Sequence, residues 1–473
     1  MKKIILTINL TMIWWLQCIA QTPPASIVAG LDSLFQIHVN ANMGFFPGYE
    51  SETGHVIRVE KDGDWVYEHS AGLASLSPLI NTQPEMKFKI ASITKLFTTA
   101  AIFQLIQNGQ INFNAPISTY LPANVVQGFA DNHYITIKKL LGHKSGIDEP
   151  QSDFQGRLNY WIYMKRFDDI PLDSLIMWSY ANPRGLNNYY YSNANFYLLA
   201  EIIESVTGLS YHNYITTNII TPLSLNNTDF NTIPSGSFMR GYLKGSFYGS
   251  DVVLPQNIGL NPDSLYDFTD ANNSWGYGAA DIWSNTTDLI KFHKALFGGQ
   301  IINANWLDTM KSVVTITGEM GSYGHGMMQF NSFNNGPIYG FGHTGTAFGY
   351  GSMLCYIPSL DIYISSASNY MKIDQAFLQR NIYNFLNNNM TSVSEPKLDI
   401  LISIYPNPAA NILNVNTTLQ NFLVSVVSIT GQLVLQKKNC YTLDVSALST
   451  GIYVFKLQDL NSNKTITTKF IRE

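Results

Sequence analysis

Over residues 24–388 the chain places strand-like segments at its two ends and helix-like segments in the middle. Val56 to Glu60 and Trp65 to Ser70 alternate apolar and polar residues around Lys61-Asp62-Gly63-Asp64, whose Asp-Gly step is a hairpin signal. Gly351 to Ile357 and Leu360 to Ser365 repeat the pattern about Pro358-Ser359. Ser26 to Val39 and Asp374 to Leu386 have helical spacing and flank the strands. Strands at both ends with helices between predict one antiparallel sheet, completed by both ends of the unit, and an inserted helical domain. The expected fold class is therefore α/β, in the α+β sense. Asn387 to Lys397 (NNNMTSVSEPK) is polar, and residues 389–397 read as a linker. Residues 398–473 alternate in short runs with turn signals and predict a small all-β sandwich.

Composition narrows the function classes. Hydrophobic residues make up 45% and charged residues 13%, which favours a folded core over disorder. The net charge of -5 gives no sign of a nucleic-acid partner. Met1-Lys2-Lys3, the apolar run Ile4 to Leu16 and the small residues before position 21 read as a signal peptide over residues 1–20. No later segment reads as a permanent membrane span. Cleavage there would remove Cys18 and leave Cys355 and Cys440 in different domains, so no disulfide framework is expected.

Three short motifs carry the chemistry. Ser92-Ile93-Thr94-Lys95 opens an apolar segment, Leu96 to Ile106, ended by Gly109. A spacing of three puts Lys95 on the face of Ser92, and a lysine in an apolar helix has its pKa lowered and can act as a base. Alone, S-x-x-K is weak; an N-cap serine beside a solvated lysine fits it as well. Tyr191-Ser192-Asn193 precedes a second apolar helix, Phe196 to Val206, ended by Gly208. A phenol there can relay a proton, and an amide can bind both a lysine and a substrate carbonyl. Gly342-His343-Thr344-Gly345-Thr346 leads into the second hairpin. A strand with so little bulk lets a substrate lie along the backbone as an added strand, and a backbone N–H near Thr346 can join that of Ser92 in an oxyanion hole. The nine histidines form no H-E-x-x-H pattern, no G-x-S-x-G elbow is present, and neither metal nor cofactor is expected.

Taken together and in this order, the motifs resemble those of the serine β-lactamase and penicillin-binding protein family, in its class C and D-alanyl-D-alanine carboxypeptidase branch. The resemblance spans about residues 28–388 and includes Ile135 to Gly146 and Gly278 to Phe292. Tyr-Ser-Asn and His-Thr-Gly stand where class A enzymes have Ser-Asp-Asn and Lys-Thr-Gly. The resemblance implies a transpeptidase-like fold and hydrolysis through an acyl-enzyme. In it Ser92 is the nucleophile, and Lys95 and Tyr191 share the proton work. Asn193, His343, Thr344, Gly345 and Thr346 bind or orient the substrate. One departure stands out: the carboxypeptidases carry an arginine before the His-Thr-Gly strand, and Gly326 to Gly342 has neither arginine nor lysine. An esterase of the same fold is the enzymatic alternative, and a non-catalytic surface binding protein the other.

The C-terminal segment contains Tyr405-Pro406-Asn407-Pro408-Ala409, Leu413-Asn414-Val415, Ile429-Thr430-Gly431-Gln432, Leu443-Asp444-Val445-Ser446, Gly451-Ile452-Tyr453 and the basic, apolar end Lys464 to Ile471. It resembles the type IX secretion sorting domain of Bacteroidetes. That implies a secreted or cell-surface enzyme, the secretion machinery as partner, and a small-molecule or peptide substrate met outside the cell.

Overall fold

The computed structural model describes residues 21–41, 53–129, 132–150, 168–180, 185–244, 265–317, 321–331, 337–370, 373–390, 402–417, 419–428, 432–461 and 465–473. The expected signal peptide, most of the linker and the Ile429-Thr430-Gly431 turn lie outside them. The chain divides into two compact units, Met1–Asn389 and Met390–Glu473.

The first unit is built on one sheet. Its strands are β1 (His55–Lys61), β2 (Val66–Ala71), β3 (Thr315–Ile316), β4 (Ser322–Tyr323), β5 (Met328–Asn331), β6 (Ile338–Ala347), β7 (Tyr350–Ile357) and β8 (Ile362–Ser368). They lie in the order β2-β1-β8-β7-β6-β5-β4-β3, every neighbouring pair antiparallel. The β1–β8 pairing, with Val59 opposite Ile364, joins the two ends of the unit. All eight positions of β7 but Tyr356 are buried, as expected for a central strand covered on both faces.

Helices fill the interval between β2 and β3 and flank the sheet. The helix α1 (Ala25–Ala41) precedes β1. The helix α2 (Thr94–Gln107) buries twelve of its fourteen residues. Its sequence is apolar all round, which marks a helix enclosed by protein rather than one with a wet face. The helix α3 (Ala194–Thr207) stops at Gly208, whose φ of 72° is the left-handed cap glycine adopts without strain. The helix α4 (Thr286–Phe297) starts at Asn285, whose side chain accepts from the Asp288 N–H. It packs on α2 through Phe97 and Phe292, ring centroids 3.8 Å apart. The helix α5 (Gln375–Met390) runs into the segment read as linker. Asn389 donates to the Phe385 carbonyl at 2.7 Å, so the polar run first closes a last helical turn.

The second unit packs a three-stranded sheet, β9 (Ile402–Tyr405), β10 (Ile412–Thr417) and β13 (Thr442–Asp444), against a four-stranded one, β11 (Phe422–Ser428), β12 (Leu433–Lys438), β14 (Gly451–Asp459) and β15 (Thr465–Arg472). Phe422, Val424 and Val426 alternate inward from β11 and meet Tyr453, Phe455 and Leu457 of β14 in its core. In the Tyr405 to Ala409 motif, Asn407 accepts from the Ile471 N–H at 2.9 Å and donates to the Lys469 carbonyl at 3.2 Å, fixing the last strand. Cys355 and Cys440 are both free thiols, one in each unit.

Candidate active site

The site is assembled on the turn that opens α2. Ala91–Ile93 forms a 3-10 turn, and Ala91 has a φ of 48°, a left-handed conformation uncommon for a residue with a side chain. Ser92 lies in this turn and makes no capping bond to the helix, so its hydroxyl is left for other partners. The Ile90 N–H bonds the Ile282 carbonyl at 3.0 Å, and Ser352 Oγ bonds the Ile90 carbonyl at 2.9 Å. Strand β6 crosses directly over the turn. A methyl group on Gly345 would stand 2.2 Å from the Ile90 carbonyl oxygen and 2.3 Å from Ser352 Oγ. Only glycine lets the strand approach the serine this closely.

Lys95 follows one turn later and is 0% exposed. Its Nζ lies 2.9 Å from Ser92 Oγ, 2.6 Å from Asn193 Oδ1 and 3.0 Å from the Ala279 carbonyl oxygen. An ammonium can donate to all three. A neutral amine has two hydrogens and one lone pair. Asn193 Oδ1 and the Ala279 carbonyl only accept, so they claim the two hydrogens and leave the lone pair for the Ser92 hydroxyl. Burial pushes the Lys95 pKa down to about 7, against the opposing charges of Glu149 and Asp281.

Tyr191 closes the other side of Ser92. Its hydroxyl is hydrogen-bonded to the Ser92 side chain, and its ring lies 5.0 Å from Lys95 Nζ. Burial pushes the phenol pKa well above its ordinary value, with the Ser92 bond opposing and Tyr189 and Glu149 adding to the rise. Near neutral pH the phenol therefore keeps its proton while the lysine can lose one. This asymmetry makes Lys95 suited to act as base and Tyr191 as a neutral relay.

The Tyr191-Ser192-Asn193 loop is held from below. Ser192 Oγ donates to the Asp148 carbonyl at 2.9 Å, and Ser145 Oγ bonds Asn195 Oδ1 at 2.5 Å. Glu149 grips Asn193 twice: Oε2 accepts from the backbone N–H at 2.5 Å and Oε1 from Nδ2 at 3.2 Å. This orients the amide so that its oxygen, and not its nitrogen, faces Lys95.

His343 is wholly buried, and both ring nitrogens have protein partners. Its Nδ1 is 2.6 Å from the Thr344 carbonyl oxygen and its Nε2 is 3.2 Å from the Tyr323 hydroxyl. The same hydroxyl is 3.2 Å from His143 Nε2, and His143 Nδ1 accepts from the Ser192 N–H at 3.2 Å and from Asn195 Nδ2 at 3.0 Å. A backbone donor at one end and a carbonyl at the other fix every proton between them. His143 donates from Nε2 to Tyr323, Tyr323 donates to His343 Nε2, and His343 donates from Nδ1 to Thr344. Burial, reinforced by the charge of Lys95, pushes the pKa of His343 down to about 3 and that of His143 well below its ordinary value, so both rings stay neutral. His343 therefore links the substrate strand to the Tyr-Ser-Asn loop and offers no free nitrogen to a substrate. As a neutral ring, His343 brings no positive charge to the place that lysine takes in the Lys-Thr-Gly form.

The other residues of that motif lie within β6 and alternate across it: Gly345 is buried, Thr344 half-buried and Thr346 exposed. Strand β5 pairs with Ile338 to Gly342 and ends at Met328 opposite Gly342. Among the described residues no strand pairs with Thr344 to Ala347 on that side. The backbone there is open to an extended substrate.

Sequence reasoning placed Ser92, Lys95, Tyr191 and Asn193, and the structure brings them together. It missed Glu149, His143, Tyr323 and the Ala279 carbonyl. Ala279 and His143 fall in stretches already noted for their resemblance, but no spacing rule marks a carbonyl as a lysine acceptor or a tyrosine as a bridge between two histidines.

Residues 48–388 match the profile described as Beta-lactamase. The chain belongs to the β-lactamase family. It is a serine hydrolase of that family, with residues 403–473 matching a secretion system C-terminal sorting domain. That module, of the type IX system, marks the hydrolase as secreted or cell-surface, and no helix among the described residues is long and apolar enough to cross a membrane. The family hydrolase is 28% identical over 349 residues to penicillin-binding protein 4* of Bacillus subtilis, covering 70% of this chain and 72% of that one. Its fold is that of a D-stereospecific amidohydrolase from Streptomyces sp. (TM-score 0.63, 24% identity, covering 75% of this chain and 97% of that chain). It is likewise that of the D-amino acid amidase from Ochrobactrum anthropi SV3 (TM-score 0.65, 19% identity, covering 77% and 99%).

Proposed function

We propose that the protein is an exported hydrolase that cleaves an amide or ester through an acyl-enzyme on Ser92. The arrangement that carries this reading is Lys95 Nζ held between Ser92 Oγ, Asn193 Oδ1 and the Ala279 carbonyl oxygen. Neutral Lys95 takes the Ser92 proton as Oγ bonds to the substrate carbonyl carbon. That proton, passed by way of the Tyr191 hydroxyl, goes to the departing nitrogen or oxygen as its bond to the carbonyl breaks. Water then attacks the ester, giving its proton to the same pair, and Ser92 is restored. Backbone N–H groups of Ser92 and Thr346 are assigned to the developing oxyanion, and Thr344 and Thr346 to hydrogen bonds with the substrate. The missing basic residue in Gly326 to Gly342 favours an amidase or esterase over a D-alanyl-D-alanine carboxypeptidase, because a terminal carboxylate would lack a partner. The fold shared with a D-stereospecific amidohydrolase and a D-amino acid amidase fits the same preference. Residues 1–20 as export signal, 24–388 as hydrolase domain, 389–397 as linker and 398–473 as sorting domain complete the proposal, and place the substrate outside the cell.

Intact mass after incubation with a fluorophosphonate and, separately, with a penicillin tests the reading. An adduct with either reagent in the wild type that is lost in Ser92→Ala supports it. No adduct with either reagent overturns it in favour of a surface binding protein.

A further inference from the structure

A cavity of about 520 Å³ lies apart from the reacting groups: none of Ser92, Lys95, Tyr191 and Asn193 lines it. Its lining includes Asp169, Asp173, Glu201, Glu204 and Asp281, but no lysine or arginine. Glu201 and Glu204 reach it together because they are three positions apart on α3. Burial first, then the charges of Glu204 and Asp173, push the Glu201 carboxyl above its ordinary pKa. Glu204 accepts from the Tyr211 N–H at 2.7 Å and from the Tyr277 hydroxyl, and Asp169 accepts from Asn272 Nδ2. None of these donors carries a positive charge. Two deeper residues point the same way as the crowded acids. Asp281 is 2% exposed and Asn273 6%, both line the cavity, and Oδ1 of each has no hydrogen-bond partner among the described residues. Asp281 Oδ2 is taken by His212 Nε2 at 2.8 Å, and Asn273 Nδ2 is turned to the Asp281 carbonyl at 3.5 Å. Both orphaned oxygens only accept, so a donor brought into the cavity supplies what the fold does not.

We infer that this cavity binds a linear aliphatic polyamine, its ammonium groups on the carboxylates and its methylene chain along the aromatic wall. The inference goes beyond the acyl-enzyme reading and does not depend on it. The lining selects the ligand. Among the described residues no three acidic or histidine side chains are grouped closely enough to hold a metal ion, so one compact cation does not meet these dispersed charges. A chain with cationic groups several bonds apart does. Phe230 stacks on His212 with ring centroids 4.1 Å apart, and Tyr277 lies 5.0 Å from the same imidazole, which gives methylene groups an aromatic surface. Ammonium groups donate charge-assisted hydrogen bonds to carboxylates, and the volume falls in the range of small-molecule sites, about 300–1,000 Å³. A neutral or anionic ligand leaves the repulsion between the acids in place. The occupant would also rest against the frame of the catalytic site: the Tyr277–Glu204 and Asp281–His212 bonds flank Ala279, whose carbonyl accepts from Lys95.

The test is calorimetric titration of spermidine into the full chain near neutral pH and at low salt, with thermal unfolding as a second readout. The wild type should show saturable binding that weakens as salt is added, and a Tm that rises with spermidine. Asp173 and Glu201 make no hydrogen bond or ion pair among the described residues, so Asp173→Asn and Glu201→Gln remove charge and little else. Each should weaken spermidine on the order of tenfold, and the double variant should abolish binding. Without spermidine, Glu201→Gln should melt no lower than the wild type, because it relieves repulsion. A wild type that takes up no spermidine overturns the inference. So do variants that bind it as tightly as the wild type, since the uptake is then non-specific attraction to an acidic surface. Displacement of spermidine by equimolar calcium makes the cavity a metal site and overturns the ligand class. A lower midpoint for Glu201→Gln in the absence of ligand overturns the inference as well, because Glu201 then serves the fold.

Discussion

Acidification from pH 7 to pH 5 should remove most of the activity, and the size of the loss follows from Lys95. The side chain is fully enclosed, and burial holds its pKa near 7. Only the neutral amine has a lone pair for the Ser92 proton. The sign follows from that: a base with a depressed pKa is competent above it and loses competence as pH falls through it. The neutral fraction is about one half at pH 7 and about one hundredth at pH 5, a roughly fifty-fold fall in kcat/KM. A neutral p-nitrophenyl ester followed from pH 5 to 9 measures this on the free enzyme. The profile should rise with unit slope below about 7 and then flatten. His343, pushed down to about 3, and Tyr191, pushed above its ordinary range, add no limb within that window. Among the described residues, Lys95 is not the sole buried lysine whose pKa is depressed. Lys89 is also pushed down to about 7 by burial, with its Nζ on the Ala271 carbonyl at 2.9 Å. The decisive comparison is therefore Lys95→Ala, whose residual rate, expected ~10²–10⁴-fold lower, should have lost the acid limb. A limb that persists in Lys95→Ala, or a wild-type midpoint near the ordinary lysine value, refutes the assignment of Lys95 as base.

Two further substitutions probe the scaffold. Gly345→Ala places a methyl group against the Ile90 carbonyl and Ser352, so β6 must move off the serine turn; kcat should fall roughly 10²-fold for a shift near 1 Å, and a loss below threefold in steady-state assays would contradict the close approach. Tyr323→Phe deletes the hydroxyl that joins His143 to His343 and strands a buried donor and acceptor. It should cost about 1–3 kcal/mol in denaturant unfolding and lower kcat, and an unchanged unfolding midpoint would show that the bridge is dispensable.

The residues differ in how legible they were. Ser92 and Lys95 could be paired from sequence because both belong to one helical turn, and the i, i+3 spacing carries the geometry with it. The fate of Lys95 was legible too, since an unbroken apolar run from Leu96 to Ile106 has no wet face to offer a lysine. Tyr191 and Asn193 were legible only because the motif has a known resemblance; nothing in the local pattern brings Asn193 Oδ1 98 positions back to Lys95. The antiparallel sheet could be read from two hairpin signals, and Asn407 in its motif could be seen but not explained until its bonds to the last strand were known.

What the sequence by itself determined was whatever depends on short periods, namely the helices and hairpins, the buried lysine and the polar break between two units; the hydrolase and sorting readings of those units came from the resemblance of their motifs. What only the tertiary structure decided was which polar groups face one another. Hydrogen bonds act over about 3 Å and take no account of chain distance. His143, Tyr323 and His343 were three unrelated residues until the sheet brought them into one line, and His343 passed from a substrate contact to a buried link. Glu149 likewise became part of the site only when folding laid its loop against Asn193.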